Sequence, residues 1–289
     1  MTPSLFIFGF GYSAEHLAGL AQAQGWNISG TSRSPGTRAR LNALGYNAID
    51  FTVDAVGKPL AQSTHLLIST PLSKTWEDPV LAHFEPIIRG AAPHLQWIGY
   101  LSTTGVYGDH QGAWIDETTP PKPTNDRAHG RLRAEAQWQA LGKEMGVPAQ
   151  VFRLAGIYGP GRNAIRALKE GTARSIYKQR QVFSRIHVDD IAQILMASMH
   201  TSKQGKIYNV CDDLPAPSHE VIEYAATLLG VPVPERIDFA QAPLSEMARE
   251  FYENSRRVRN TKIKEELKIN LLYPTYRDGL NAMLEKGDY

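Results

Sequence analysis

Cysteine is nearly absent from this chain: Cys211 stands alone among 289 residues. A single thiol excludes an internal disulfide framework and fits a reducing compartment. An excess of either charge is missing too. Lys and Arg number 31 against 29 Asp and Glu, a formal net charge of +2, too mild to hold nucleic acid or an anionic membrane. No apolar run approaches the ~20 residues that span a bilayer. The stretch Leu5 to Phe8 breaks at Gly9, too short for the apolar part of a signal peptide. Metal-ligand spacing is lacking as well. In Ile186-His187-Val188-Asp189-Asp190 one histidine stands beside two helix-starting carboxylates, a poor ligand set, so no metal is expected and an aspartate cap on the next helix is the better reading. These absences predict a soluble, cytoplasmic protein with neither nucleic acid nor membrane as partner.

What is present is an ordinary globular composition, 42% hydrophobic and 21% charged, patterned as short apolar runs alternating with amphipathic stretches. Strands are predicted at Leu5 to Phe8, Asn27 to Gly30, Asn47 to Phe51, His65 to Thr70, Trp97 to Ser102, Gln150 to Leu154 and Lys206 to Cys211. Helices are predicted between them, the longest over Asp126 to Met145. The expected fold is α/β: a doubly wound, parallel Rossmann-type sheet with a smaller, mainly helical C-terminal lobe. Residues 1–161 plus 186–211 are expected to form the dinucleotide-binding domain, and 162–185 plus 212–289 the smaller substrate or partner lobe.

The first crossover carries the most chemistry. Leu5-Phe6-Ile7-Phe8 runs into Gly9-Phe10-Gly11-Tyr12-Ser13-Ala14, an apolar strand turning through two glycines into a helix. Gly9 permits the tight turn, Gly11 lets backbone approach a pyrophosphate, and small Ala14 lets helix and strand pack closely. Tyr12 and Ser13 open the helix and offer its first amides. At the second strand end, where an NAD site usually places an acid, stand Thr31, Ser32 and Arg33, with Arg38 beyond. An arginine there binds a 2′-phosphate that a carboxylate would repel, so NADP is expected as cofactor over NAD. Asp50 reads equally as an acceptor for the adenine amino group and as a turn cap. Thr70, ending the fourth strand, completes the cofactor-binding candidates.

Beyond this point the chain resembles the extended short-chain dehydrogenase/reductase family, of the NAD(P)-dependent epimerase/dehydratase type. The carriers are Gly9-Phe10-Gly11, Leu101-Ser102-Thr103-Thr104-Gly105-Val106-Tyr107-Gly108, Arg153-Leu154-Ala155-Gly156-Ile157-Tyr158-Gly159-Pro160-Gly161, Ile186-His187-Val188-Asp189-Asp190 and Ile207-Tyr208-Asn209-Val210. The resemblance implies that Thr103, flanked by Ser102 and Thr104, bonds the reacting oxygen of substrate. It also implies a Tyr-x-x-x-Lys, and here the chain departs. Alignment on Ala134-Glu135 puts Arg127 at the tyrosine and Arg131 at the lysine, as in an atypical branch lacking the catalytic tyrosine. An arginine keeps its proton and cannot run the tyrosine's proton cycle. Arg131 can still supply fixed charge, and His129 is a candidate acid/base weighed against a solvent-facing role. Gly156 and Arg185 depart from the pattern of nucleotide-sugar enzymes.

The expectation is therefore an NADP(H)-binding oxidoreductase or epimerase-like protein. Its substrate is an unidentified hydroxylated small molecule, nucleotide-sugar-like ones included, and Thr103, Arg131 and His129 are the catalytic candidates. The alternative is a catalytically silent NADP(H)-binding redox sensor. A homodimer is the family-level expectation for assembly.

Overall fold

The computed structural model describes residues 2–201 and 205–289. Its elements begin with β1 (Ser4–Phe8), α1 (Tyr12–Ala23), β2 (Asn27–Thr31), α2 (Pro35–Ala43), β3 (Asn47–Ile49), α3 (Val53–Ala61) and β4 (His65–Ile68). Next come α4 (Pro79–Ala91), β5 (Trp97–Thr103), a 3-10 turn at Thr104–Tyr107, β6 (Trp114–Ile115), α5 (Asp126–Met145), β7 (Ala149–Leu154) and β8 (Gly156–Tyr158). They are followed by α6 (Ala164–Lys169), β9 (Ser175–Tyr177), β10 (Arg185–His187), α7 (Val188–Met199), β11 (Ile207–Val210) and α8 (Ser218–Leu229). The last are β12 (Arg236–Asp238), α9 (Glu246–Glu253), β13 (Arg257–Val258), α10 (Thr261–Leu267) and α11 (Tyr276–Lys286).

By contact density the chain divides into two compact units, 1–103 with 125–153 and 191–208, and 104–124 with 154–190 and 209–289. This partition is drawn differently from the domains expected above. Residues 104–124 and 154–161 group with the second unit, because their short strands pair within it.

The first unit is built on a seven-stranded sheet of order β11-β7-β5-β4-β1-β2-β3. β1 pairs in parallel with both β2 and β4, as do β2 with β3 and β4 with β5. Central strands of such a sheet are covered on both faces and must be apolar throughout. β1 obeys: Leu5, Phe6, Ile7 and Phe8 are all sealed from solvent. Phe8 meets Phe84 of α4 at 4.9 Å between ring centroids and joins a core with Phe6, Leu66, Ile98 and Trp138. Chain order reverses between β1 and β4, which is where ligands enter folds of this kind.

The second unit packs α6, α8 and α11 around Ile165, Ala225, Tyr276, Leu280 and Met283. It adds three parallel two-stranded ladders, β8–β10, β9–β12 and β6–β13. Here one of the two aspartates expected to cap α7 is corrected. The Asp190 carboxylate instead accepts from the Leu272 and Tyr273 amides at 2.7 and 3.1 Å, pinning a distant loop. Cys211 is a buried structural thiol whose Sγ donates to the Val258 carbonyl, with burial holding its pKa well up.

Candidate functional site: a dinucleotide cradle and the helix beside it

The turn after β1 is shaped by close approach. Gly9 has φ +86°, and a Cβ there would lie 3.0 Å from the carbonyl carbon of Ser69 and from two atoms of Thr70. Only glycine fits both restrictions. Its amide donates to the Thr31 hydroxyl at 3.0 Å, tying the turn to the end of β2. Gly11 is the opposite case. A Cβ on it would meet nothing within 4 Å, so the space over its backbone is open.

Helix α1 is left uncapped at this spot. Its N-cap is Gly11, which has no side chain to accept from the first-turn amides. Helices α2, α4 and α5 of the same unit are capped by the side chains of Ser34, Asp78 and Asn125. Ser13 and Ala14 are buried in the first turn and Tyr12 is half-buried. An uncapped helix N-terminus behind a glycine turn is built to receive an anion. Across the turn, the Thr70 hydroxyl is buried with no hydrogen-bond partner among the described residues, a polar atom a ligand would satisfy. The residues present therefore fit a dinucleotide pyrophosphate.

At the end of β2 the arginines part company. Arg38 donates to the Ser32 carbonyl at 2.7 Å and to the Asp50 carboxylate at 3.1 Å. Asp50 also accepts from the Phe51 amide at 2.8 Å. Arg33 is exposed, forms no ion pair among the described residues, and lies 4.9 Å over the Phe51 ring.

Helix α5 sets the other wall. Trp138, Glu135 and Arg131 recur at helical spacing and meet β5 in turn. Trp138 stacks on Tyr100, and Glu135 accepts from the Ser102 hydroxyl at 2.5 Å. Arg131 donates to the Tyr100 hydroxyl at 2.8 Å, the Leu101 carbonyl at 3.3 Å and the Thr70 carbonyl at 3.2 Å. The helix thus runs against the strand direction, and its N-terminal turns reach the sheet's carboxyl edge. Arg131 bridges the ends of β4 and β5, beside the residue that closes on Gly9. Burial pushes the Tyr100 phenol above its usual range, so it stays protonated.

Thr103 is half-buried at the end of β5. Arg127 and His129 are exposed on α5, and neither side chain has a hydrogen-bond or ion-pair partner among the described residues. Sequence reasoning missed Glu135, Arg153 and Tyr100. Arg153 closes on Glu135 at 2.7 Å with both side chains buried, fixing the Ser102 hydroxyl next to Thr103. The signal for Glu135 was available, since it lies one helical turn beyond Arg131.

A parallel sheet reversing at a glycine turn, with an uncapped helix behind it, defines a dinucleotide-binding α/β protein. Residues 91–211 match the model of the NAD dependent epimerase/dehydratase family. A functionally unknown conserved protein from Silicibacter pomeroyi is 49% identical, each chain covering 100% of the other, with a TM-score of 0.93. UDP-glucuronic acid 4-epimerase from Bacillus cereus, solved with UDP-glucuronic acid and NAD, shares the fold at TM-score 0.78 and 18% identity, over 99% of this chain and 100% of that one. Among curated proteins, Protein YeeZ of Escherichia coli K12 is 28% identical over 244 residues, 79% of this chain and 85% of that protein. Residues 91–211 thus carry the pattern of the NAD dependent epimerase/dehydratase family, and the likeness to the epimerase structure is one of fold. No described helix is long and apolar enough to cross a membrane.

Proposed function

We propose that the protein is an NADP(H)-dependent oxidoreductase or epimerase-like enzyme acting on a hydroxylated small molecule, with nucleotide-sugar-like compounds in its range. The observation that carries the choice of cofactor is Arg33, an exposed cation without an acidic partner at the end of β2. A 2′-phosphate fits it by a charge-assisted fork, with Thr31 and Ser32 hydroxyls beside it. The Arg38–Asp50 pair supports the same reading by neutralising the nearest carboxylate.

A bound nicotinamide dinucleotide would supply or accept the hydride. The chain's own residues do the rest. Backbone amides at Gly11 to Ala14 receive the pyrophosphate, and the Thr70 hydroxyl finds its missing partner. Arg131 holds fixed positive charge at the ends of β4 and β5. Thr103 offers a hydroxyl to the substrate oxygen, its strand braced by the bond from Ser102 to Glu135. A positioned proton donor adds roughly 10²–10⁴-fold to rate, so turnover without the tyrosine is slow rather than forbidden.

The second reading is a silent NADP(H)-binding redox sensor. The exposure of His129 favours it, since no partner orients that ring toward Thr103. One experiment separates the two. The protein is titrated with NADPH and NADH by fluorescence, then carbonyl and sugar substrates are screened for loss of reduced-nicotinamide absorbance. NADPH binding with turnover supports the enzyme, and binding without turnover the sensor. NADH binding as tight as NADPH would overturn the cofactor choice.

A further inference from the structure

Arg127 and Arg131 lie one helical turn apart on α5, a spacing at which side chains are neighbours and like charges oppose helix formation. Among the described residues no carboxylate forms an ion pair with either. Glu135, the next residue along this stripe, is spent on Arg153 and Ser102. Asp126 is adjacent in sequence to Arg127 and so does not share its face. Glu77, in the loop packed on this helix, accepts from the Thr75 hydroxyl.

That loop adds a second observation. Gly130, three residues from Arg127, is covered by Trp76: a Cβ at 130 would lie 2.5 Å from the Trp76 carbonyl oxygen and 2.8 Å from its Cβ. Trp76 has φ +61°, a strained backbone for a bulky residue, and yet keeps 36% of its surface exposed. The Ser73 hydroxyl accepts from the Thr75 and Glu77 amides at 3.2 and 3.1 Å and holds the loop in that shape. Trp76, partly exposed and held at a strained backbone angle, thus packs on α5 one turn from Arg127, whose side chain has no partner among the described residues.

We infer that Arg127 and Arg131 form the receptor for an organic oxyanion, a carboxylate or phosphate ester, whose flat apolar body lies against Trp76. This rests on the proposed use of the same site, and it names the class of substrate. Arg131 keeps donors beyond the three bonds it makes, and Arg127 has all of its own free. Two guanidinium forks one turn apart can each bond one oxygen edge of the same anion.

The test uses the full chain, with and without NADPH, titrated calorimetrically with benzoate, phenyl phosphate, acetate and neutral benzamide. Either anion should bind at least about tenfold tighter than benzamide, the scale of a charge-assisted hydrogen bond. Arg127→Gln, an exposed position that should not disturb folding, should erase that difference and leave NADPH affinity unchanged. Trp76→Ala should weaken benzoate more than acetate. Equal binding of benzamide, no binding of either anion, or an unaltered Arg127→Gln protein would each overturn the inference. Cofactor and anion binding are read separately, so a failure to bind NADPH defeats the cofactor reading while the benzoate titration still decides this one.

Discussion

Glu135 and Arg153 form an ion pair at 2.7 Å with side chains only 2% and 3% exposed. One carries the wall helix α5 and the other the strand β7, so the pair joins two elements distant in sequence inside one unit. The Ser102 hydroxyl donates into the same carboxylate. Breaking one member of a buried pair leaves an uncompensated charge and costs about 3–5 kcal/mol. Glu135→Gln should therefore lower stability by that order in chemical denaturation. A loss near zero would mean that water reaches the pair.

Gly9→Ala tests the cradle. The added methyl would press on Ser69 and Thr70 in a backbone region that alanine avoids. We expect a loss of ~1–3 kcal/mol in thermal or denaturant unfolding, the cost of a strained backbone position. NADPH binding should fall with it. Gly11→Ala meets no atom, so the free protein should keep its stability while nucleotide binding weakens. The contrast between the two variants is the readout.

Arg33→Asp should weaken NADPH by about 10–100-fold, the range of a lost charge-assisted hydrogen bond, and leave NADH unchanged or improved. Fluorescence titration of both cofactors measures the ratio. An equal loss for the two would assign Arg33 to the shared adenosine part of the molecule.

Stability at mild acid should report on His65. Burial lowers its pKa to about 4 from the ordinary 6.5. The unfolded chain then binds the extra proton more readily than the folded one. The contribution is complete above pH ~6.5 and is lost as pH falls toward 4, by up to about 3 kcal/mol. His65→Gln should flatten that limb of a stability–pH curve. The ring is held by the Thr64 hydroxyl at 2.9 Å, and an unchanged slope would place the titration elsewhere.

Much of the fold was legible because local rules and global packing agree. The all-apolar Leu5 to Phe8 could only be a central strand, and Gly9 with Gly11 only a tight turn. The helix expected over about Asp126 to Met145 is found there, with Asn125 capping its start and Gly146 closing it at φ +68°. Of the two aspartates expected to cap α7, Asp190 is engaged elsewhere, which its neighbours in sequence could not show. The partners of Asp190 are the amides of 272 and 273. Likewise Asp50, with two roles open in sequence, is engaged by Arg38 and its own turn.

By itself the sequence determined the strand-turn-helix of the first crossover, the arginine at the end of β2, and the two arginines four residues apart on the long helix. These follow from residue type and spacing along one stretch of chain. Only tertiary structure decided which charges are spent and which are free. Arg38, Glu135 and Arg153 find partners on other elements, whereas among the described residues Arg33 and Arg127 do not. Pairing in space depends on how helices lie across strands, which no local pattern encodes.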